Sequence, residues 1–322
     1  RPCYLIAESD LNDPRLIRQS AVGGYGLDAQ WSDDFHHALH TVLTGERHGY
    51  YEDFGALEQL AQAYRQPFVY AWDYSRHRQR FHGDDPGDCP AWRFVVCSQN
   101  HDQVGNRALG ERLSGLLPFP ALKLAAAAVL LSPYVPLLFM GEEYGEPRPF
   151  LYFISHGDPA LIEGVREGRK KEFAAFHAEG EAPDPQAETT FEASKLQWAL
   201  GKTGRHGQLR AFYRELLRLR RELPALARLD NASLTATLIA PTVLELRRWC
   251  DSNRTIVWMN FAAEPATVTV APDAGSWSKQ LDANDVAWGG DGSSLPMQWA
   301  DGALSNSLVL PPYAVVVYAA GV

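Results

Sequence analysis

The sequence predicts two architectures in one chain: an α/β region of parallel strands joined by crossover helices over residues 1–224, then an all-β antiparallel region over residues 225–322. Two observations carry this. Up to Pro224, short apolar runs of strand length alternate with segments whose apolar residues recur every three or four positions. After Pro224 the period drops to two, and no helical segment intervenes. A chain of 322 residues is long enough for one large and one small domain, each with its own core.

Four strands fall in the first region, at Cys3–Ala7, Leu27–Trp31, Phe94–Ser98 and Val135–Met140, each running into polar residues. Between them, Asp33–Leu43 carries Phe35, Leu39, Val42 and Leu43 at helical spacing, with Gly45 as its stop. Phe54–Tyr64 and Pro120–Leu131 read the same way. Pro159–His177 is a charged helix with Leu161, Ile162, Val165, Phe173 and Phe176 as its apolar positions. Leu209, Phe212, Tyr213, Leu216, Leu217 and Leu219 form a further stripe that Pro224 closes. The stretch 178–190, rich in Glu, Pro and Ala, reads as a solvated loop. In the second region Thr242–Trp249, Thr255–Phe261, Ala266–Val270 and Ala314–Tyr318 alternate as strands.

Composition excludes several partners. The net charge of −9, without any basic run, disfavours a phosphate backbone or an anionic membrane and leaves a neutral ligand. The longest apolar stretch, Leu122–Leu131, is too short for a membrane span and holds Lys123. Cys3, Cys89, Cys97 and Cys250 lack metal-site spacing, so we expect reduced thiols, a cytoplasmic protein and no metal. No leader pattern precedes the first strand, and the chain reads as starting inside a longer fold.

In parallel α/β folds, reactive groups lie just past the carboxyl ends of strands. Three polar clusters qualify: Ala7 to Pro14, Trp31 to His37, and Ser98 to Arg107. Two carboxylates on neighbouring strand ends, Glu8 and Asp102, with His and Asn donors and aromatics nearby, suit cleavage of a glycosidic bond. That reaction needs an acid to protonate the leaving oxygen and a carboxylate facing an oxocarbenium-like centre, and no cofactor. Each residue also has a plainer reading: Glu8 as a capping carboxylate, His101 with Asp102 as a loop ion pair, Asp33 and Asp34 as acids at the positive end of a helix dipole. Glu142 and Glu143 either line the cleft or brace a loop. Trp31, Tyr74 and Phe81 are either core or stacking faces for sugar rings.

The run Asn100-His101-Asp102-Gln103-Val104-Gly105-Asn106-Arg107 resembles the fourth signature region of the α-amylase superfamily, and Ala7-Glu8 resembles the third. Trp31-Ser32-Asp33-Asp34-Phe35-His36-His37, Tyr74 to Arg78, Phe139 to Tyr144, and Val165 to Arg169 are similar, more narrowly, to the trehalohydrolases that act on maltooligosyl-trehalose. Similarity continues to Leu310–Tyr318. The resemblance implies the second half of a (β/α)8 barrel followed by an antiparallel β-sandwich. It implies Glu8 as general acid/base and Asp102 as transition-state stabiliser. Substrate contacts are implied for Asp33, Asp34, Phe35, His36, His37, His101, Gln103, Val104, Gly105 and Asn106. Maltooligosyl-trehalose and trehalose are the implied ligands, with no cofactor, metal, nucleic acid or membrane.

The acid role asks for Glu8 to be buried enough to stay protonated. Retention of configuration asks for a second carboxylate about 5 Å from the acid, forming a covalent intermediate. The family's Gly-x-Arg-x-Asp pattern for that nucleophile does not occur in these residues. An N-terminal half of the enzyme is therefore expected to supply it, and this chain alone is expected to be inactive. The rival readings are another superfamily enzyme, such as a branching enzyme or maltogenic amylase, and a catalytically silent carbohydrate-binding protein.

Overall fold

The computed structural model describes residues 3–87, 89–175, 183–270, 275–299 and 306–321. In chain order the elements are β1 (Ile6–Ala7), β2 (Ala29–Trp31), α1 (Asp33–Thr44), α2 (Leu57–Arg65), β3 (Asp73–Ser75), β4 (Arg80–His82), β5 (Phe94–Val96), α3 (His101–Gly105), α4 (Leu113–Leu116), α5 (Phe119–Leu130) and β6 (Val135–Pro136). Then follow α6 (Pro159–Ala175), α7 (Glu188–Ser194), α8 (Gly204–Glu222), α9 (Pro224–Ala227), β7 (Leu234–Ala240), β8 (Val243–Cys250), β9 (Asn253–Asn260), β10 (Ala266–Val270), β11 (Trp277–Asp282), β12 (Gln298–Trp299), β13 (Asn306–Leu310) and β14 (Val315–Ala320). They group into two compact units. The first holds residues 1–98, 119–137 and 211–322, and the second holds residues 99–118 and 138–210. The boundary expected after residue 224 lies inside the first unit, which contains both a parallel and an antiparallel sheet.

The parallel sheet of the first unit runs in the order β1, β2, β5, β6, with Ile6 opposite Ala29, Gln30 opposite Phe94 and Val95 opposite Val135. All four carboxyl ends therefore open on one edge. Helix α1 starts with Asp33 and Asp34 in its first turn, where carboxylates suit the helix dipole, and ends on Gly45 in the left-handed region at φ 78°. Its stripe of Phe35, Leu39 and Leu43 is buried. Phe35 meets Tyr64 and Tyr134 edge-on at 5.3 and 6.2 Å, and enclosing a ring of this size contributes about 2–3 kcal/mol. Helix α5 is buried along Leu124 to Leu130, as its run of alanines permits.

The carboxyl end of α5 ties the two sheets together. Arg220 on α8 donates to the carbonyls of Leu130 and Ser132, both at 2.7 Å, while Arg248 on β8 donates to those of Leu131 and Ser132 at 3.0 Å. Cations suit this end of the helix dipole, although burial pushes Arg220 down to about 10 and Arg248 to about 9. Lys123, enclosed within α5, donates to the carbonyls of Ala283 and Trp288 in the antiparallel region.

That region is a six-stranded sheet in the order β12, β11, β14, β9, β8, β7, with a two-stranded sheet of β10 and β13. Val268, Val270 and Leu310 from the small sheet share one core with Trp258, Trp277, Val316 and Tyr318 from the large one, as in a sandwich of unequal sheets. Strands β7, β11, β12 and β13 were not among those expected, nor was the hairpin of β3 and β4. Residues 178–190 were expected as a loop; 188–194 instead form α7, and 178–182 lie outside the described residues. The helix expected over Pro159–His177 is present to Ala175, and the rest also lies outside them.

Candidate active site

Glu8 follows β1 directly, at the carboxyl edge of the parallel sheet. It is exposed, so these residues do not give it the burial that the acid role asks for. The segment after it is held firmly. Burial opposes ionisation of Asp10, but Arg78, 2.8 Å away, outweighs it and holds the carboxyl below the usual carboxylate range. His82 Nε2 lies 2.9 Å from the Asp10 carbonyl. Asn12, almost fully buried with φ 51°, donates to Asp34 at 2.8 Å and to the Tyr70 carbonyl at 3.2 Å.

Asp34 is consumed by this scaffold. One of its oxygens accepts from Asn12 and from the Val69 and Tyr70 amides at 2.7 and 2.8 Å. Burial raises it to about 6 even so, because the three donors do not fully replace water. His36 is fully enclosed, with Nδ1 2.9 Å from the Ser98 carbonyl and Nε2 3.0 Å from the Tyr51 hydroxyl. Burial pushes it well below an ordinary histidine, and His40 and His37 beside it push the same way. His37 stacks on Tyr50 at 4.9 Å, and burial lowers it to about 3. His40 stacks on Tyr51 at 4.5 Å and reaches Glu46 at 2.8 Å. Phe35 is wholly buried in the same helix. Asp34, Phe35 and His36 are thus enclosed in the scaffold, while Asp33 keeps partial exposure.

In the second unit, Asn100 caps the short helix α3. Its side-chain oxygen accepts from the Asp102 and Gln103 amides at 2.9 and 3.2 Å, the arrangement that suits an N-cap asparagine. The cap leaves His101 and Asp102 half-exposed at the start of the turn, with Nε2 3.4 Å from Oδ1. Gln103, Val104 and Gly105 are buried and Asn106 is exposed. The Gln103 side-chain oxygen is buried without a hydrogen-bond partner among the described residues. Arg169 on α6 donates to the Gly105 carbonyl at 3.4 Å, so two of the segments that carry the resemblance meet here. Glu143 accepts from the Gly141 amide at 3.0 Å, and Glu142 is buried.

The chain is 50% identical to the malto-oligosyltrehalose trehalohydrolase of Saccharolobus solfataricus over 218 residues, 68% of this chain and 37% of that protein. It is 47% identical to that of Rhizobium sp. (strain M-11) over 272 residues, 83% of this chain and 45% of the relative. It is 45% identical to that of Mycobacterium tuberculosis over 278 residues, 84% and 47% respectively. The chain belongs to the malto-oligosyltrehalose trehalohydrolase family. It spans less than half the length of these relatives. No protein-family profile matches it. A crystal structure described as a putative alpha amylase from Salmonella typhimurium superposes with a TM-score of 0.80 and 35% identity, covering 99% of this chain and 51% of that one. The alpha-amylase of H. orenii, at TM-score 0.57 and 18% identity over 99% of this chain and 54% of that one, shares the fold.

Sequence reasoning within this family singled out the acids and histidines but missed the groups that hold them. Asn12 and Arg78 fell inside segments that were singled out but were given no role there, and Tyr51 fell outside them, because the partners of all three are distant in the chain. Asn100 was legible: an Asn two positions before a polar residue at a strand-to-helix turn is a cap.

Proposed function

We propose that the complete enzyme to which this chain contributes is a retaining α-glycoside hydrolase that cleaves the α-1,4 bond next to the terminal trehalose of maltooligosyl-trehalose, releasing trehalose. The observation that carries the reading is identity of 45–47% to named trehalohydrolases over 83–84% of the chain. In this reading Glu8 protonates the departing trehalose oxygen and later activates water. Asp102 holds a fixed negative charge against the oxocarbenium-like centre, with His101 donating to the sugar. The attacking carboxylate is carried outside these residues, by a part that the longer relatives possess. The isolated chain is then inactive.

The parallel sheet is, on the same proposal, part of a (β/α)8 barrel, with residues 1–224 contributing its second half and residues 225–322 the β-domain. Support comes from the shared fold of the alpha-amylases and from the open edge at β1, where Tyr4, Leu5 and Ile6 are exposed by 71%, 59% and 50%. Strand pairing there would also cover Glu8 and supply the burial that its acid role needs. Asp33, His37, His101, Gln103 and Asn106 are proposed near the ligand, and Asp34, Phe35, His36, Val104 and Gly105 as supports behind them. Glu8→Gln in the full-length enzyme tests this: turnover of maltooligosyl-trehalose should vanish while binding persists, and near-normal turnover ends the assignment.

A further inference from the structure

The hairpin of β3 and β4 carries three aromatic rings that the fold does not use as core. Tyr74 pairs with Phe81 across it, while Ser75 and His82 on the opposite face are buried. Trp72, Tyr74 and Phe81 stay exposed by 69%, 51% and 56%. They are nevertheless ordered against one another. Trp72 stacks on Phe81 with centroids 5.7 Å apart and planes at 20°, and Tyr74 meets Phe81 edge-on at 5.8 Å. A contiguous exposed aromatic face of this kind marks a binding surface more often than a packing accident.

Trp72 adds an independent observation. Its backbone sits at φ 75°, in the left-handed region where a bulky side chain is an outlier, and its amide donates to the His82 carbonyl at 3.0 Å, which locks it there. Glycine would relieve that conformation. The indole gains little burial in exchange, so packing does not account for its presence.

The surroundings indicate the ligand. Tyr74 also lines an open cavity of about 430 Å³, a size that suits a small molecule, together with Glu52, Asp73, Tyr70 and Arg76. Flat apolar faces bordered by charged groups of both signs suit a neutral, polyhydroxylated ring with an apolar face and polar edges. Arg78 and His82 of the hairpin grip Asp10, and the Asp84 amide donates to the Asn12 carbonyl at 3.0 Å, so the platform is fastened to the segment that follows Glu8.

We propose that Trp72, Tyr74 and Phe81 form a platform that stacks glucose rings of an α-glucan chain, with Trp72 a specificity-determining contact. The proposal rests on the glycoside-hydrolase reading above. The test uses the full-length enzyme with Trp72→Gly, Trp72→Phe and Tyr74→Ser, measuring the Kd of maltoheptaose by calorimetry, KM and kcat for maltooligosyl-trehalose, and Tm. Trp72→Gly should raise Kd and KM about tenfold, the scale of one aromatic contact, with kcat and Tm held. Trp72→Phe should recover most of the loss, and Tyr74→Ser should raise Kd several-fold. A Trp72→Gly enzyme that binds maltoheptaose within twofold of the parent overturns the platform alone. A parent enzyme that neither binds maltoheptaose nor turns over maltooligosyl-trehalose overturns the functional reading, and the platform with it.

Discussion

Acid should weaken the first unit through the buried histidines of α1, and the size of the effect follows from the structure. His37 has an ordinary value of 6.5 and is lowered by burial to about 3, with His40 and Arg78 near it adding positive charge and Asp10 partly opposing them. In the unfolded chain it takes a proton as pH falls through 6.5, whereas the folded protein resists until about 3. The unfolded state therefore binds more protons throughout that window, and stability falls with pH by about 1.4 kcal/mol per unit, or about 5 kcal/mol in all. His36, shifted in the same direction, adds to the loss. Asp34 works the other way: raised from 3.8 to about 6, it contributes stability below 3.8 that is lost as pH rises to 6, about 3 kcal/mol. The two histidines outweigh the one carboxyl, so stability should fall below pH 6.5. Denaturant unfolding followed by circular dichroism from pH 7 to pH 4 measures the slope. His37→Phe preserves a ring against Tyr50 and removes the titration, so its slope should be shallower by about 1.4 kcal/mol per pH unit. Equal slopes in parent and variant would refute the assignment of acid sensitivity to His37.

Asp102→Asn should lower kcat of the full-length enzyme by several orders of magnitude with little change in KM, since a charge fixed against the transition state is removed; steady-state kinetics checks it. Asn100→Ala removes the cap bonded to the Asp102 and Gln103 amides and should cost about 1 kcal/mol of stability, read by thermal unfolding, together with a fall in kcat. Gly83→Ala should cost about 2 kcal/mol or more and loosen the hairpin, because Gly83 sits at φ 77° and an added Cβ would lie 2.0 Å from the Tyr70 carbonyl oxygen; limited proteolysis near residue 83 reports it. Arg248→Met removes the donor to the Leu131 carbonyl at the end of α5, while Arg220 still reaches the Ser132 carbonyl, and should destabilise by about 1–3 kcal/mol in the same unfolding assay.

The parallel strands and the helices between them were legible because burial on both faces leaves apolar runs, and amphipathic helices leave a stripe. The strand ends were overestimated: Val135–Met140 shrinks to Val135–Pro136, since pairing requires a neighbour and apolar residues continue into the loop. Strand β7 alternates plainly, with Leu234 and Ala236 buried and Thr235 and Thr237 exposed, so its signal was present in the sequence. The hairpin was not legible, because three-residue strands carry too little periodicity, and Trp72 owes its place to a backbone conformation that no pattern announces. At the site, motifs pointed to residue types but not to burial. Phe35, His36 and His37 are consecutive in sequence, yet only the packing of α1 against Tyr51, Tyr64 and Tyr134 decides which of them is wholly enclosed.

The most direct test incubates the full-length enzyme with maltooligosyl-trehalose and analyses the products by chromatography. Release of trehalose together with the shortened maltooligosaccharide, absent from the Glu8→Gln enzyme, is the result the account predicts. Glucose or maltose released without trehalose, new α-1,6 branches, or trehalose release that survives Glu8→Gln would contradict it.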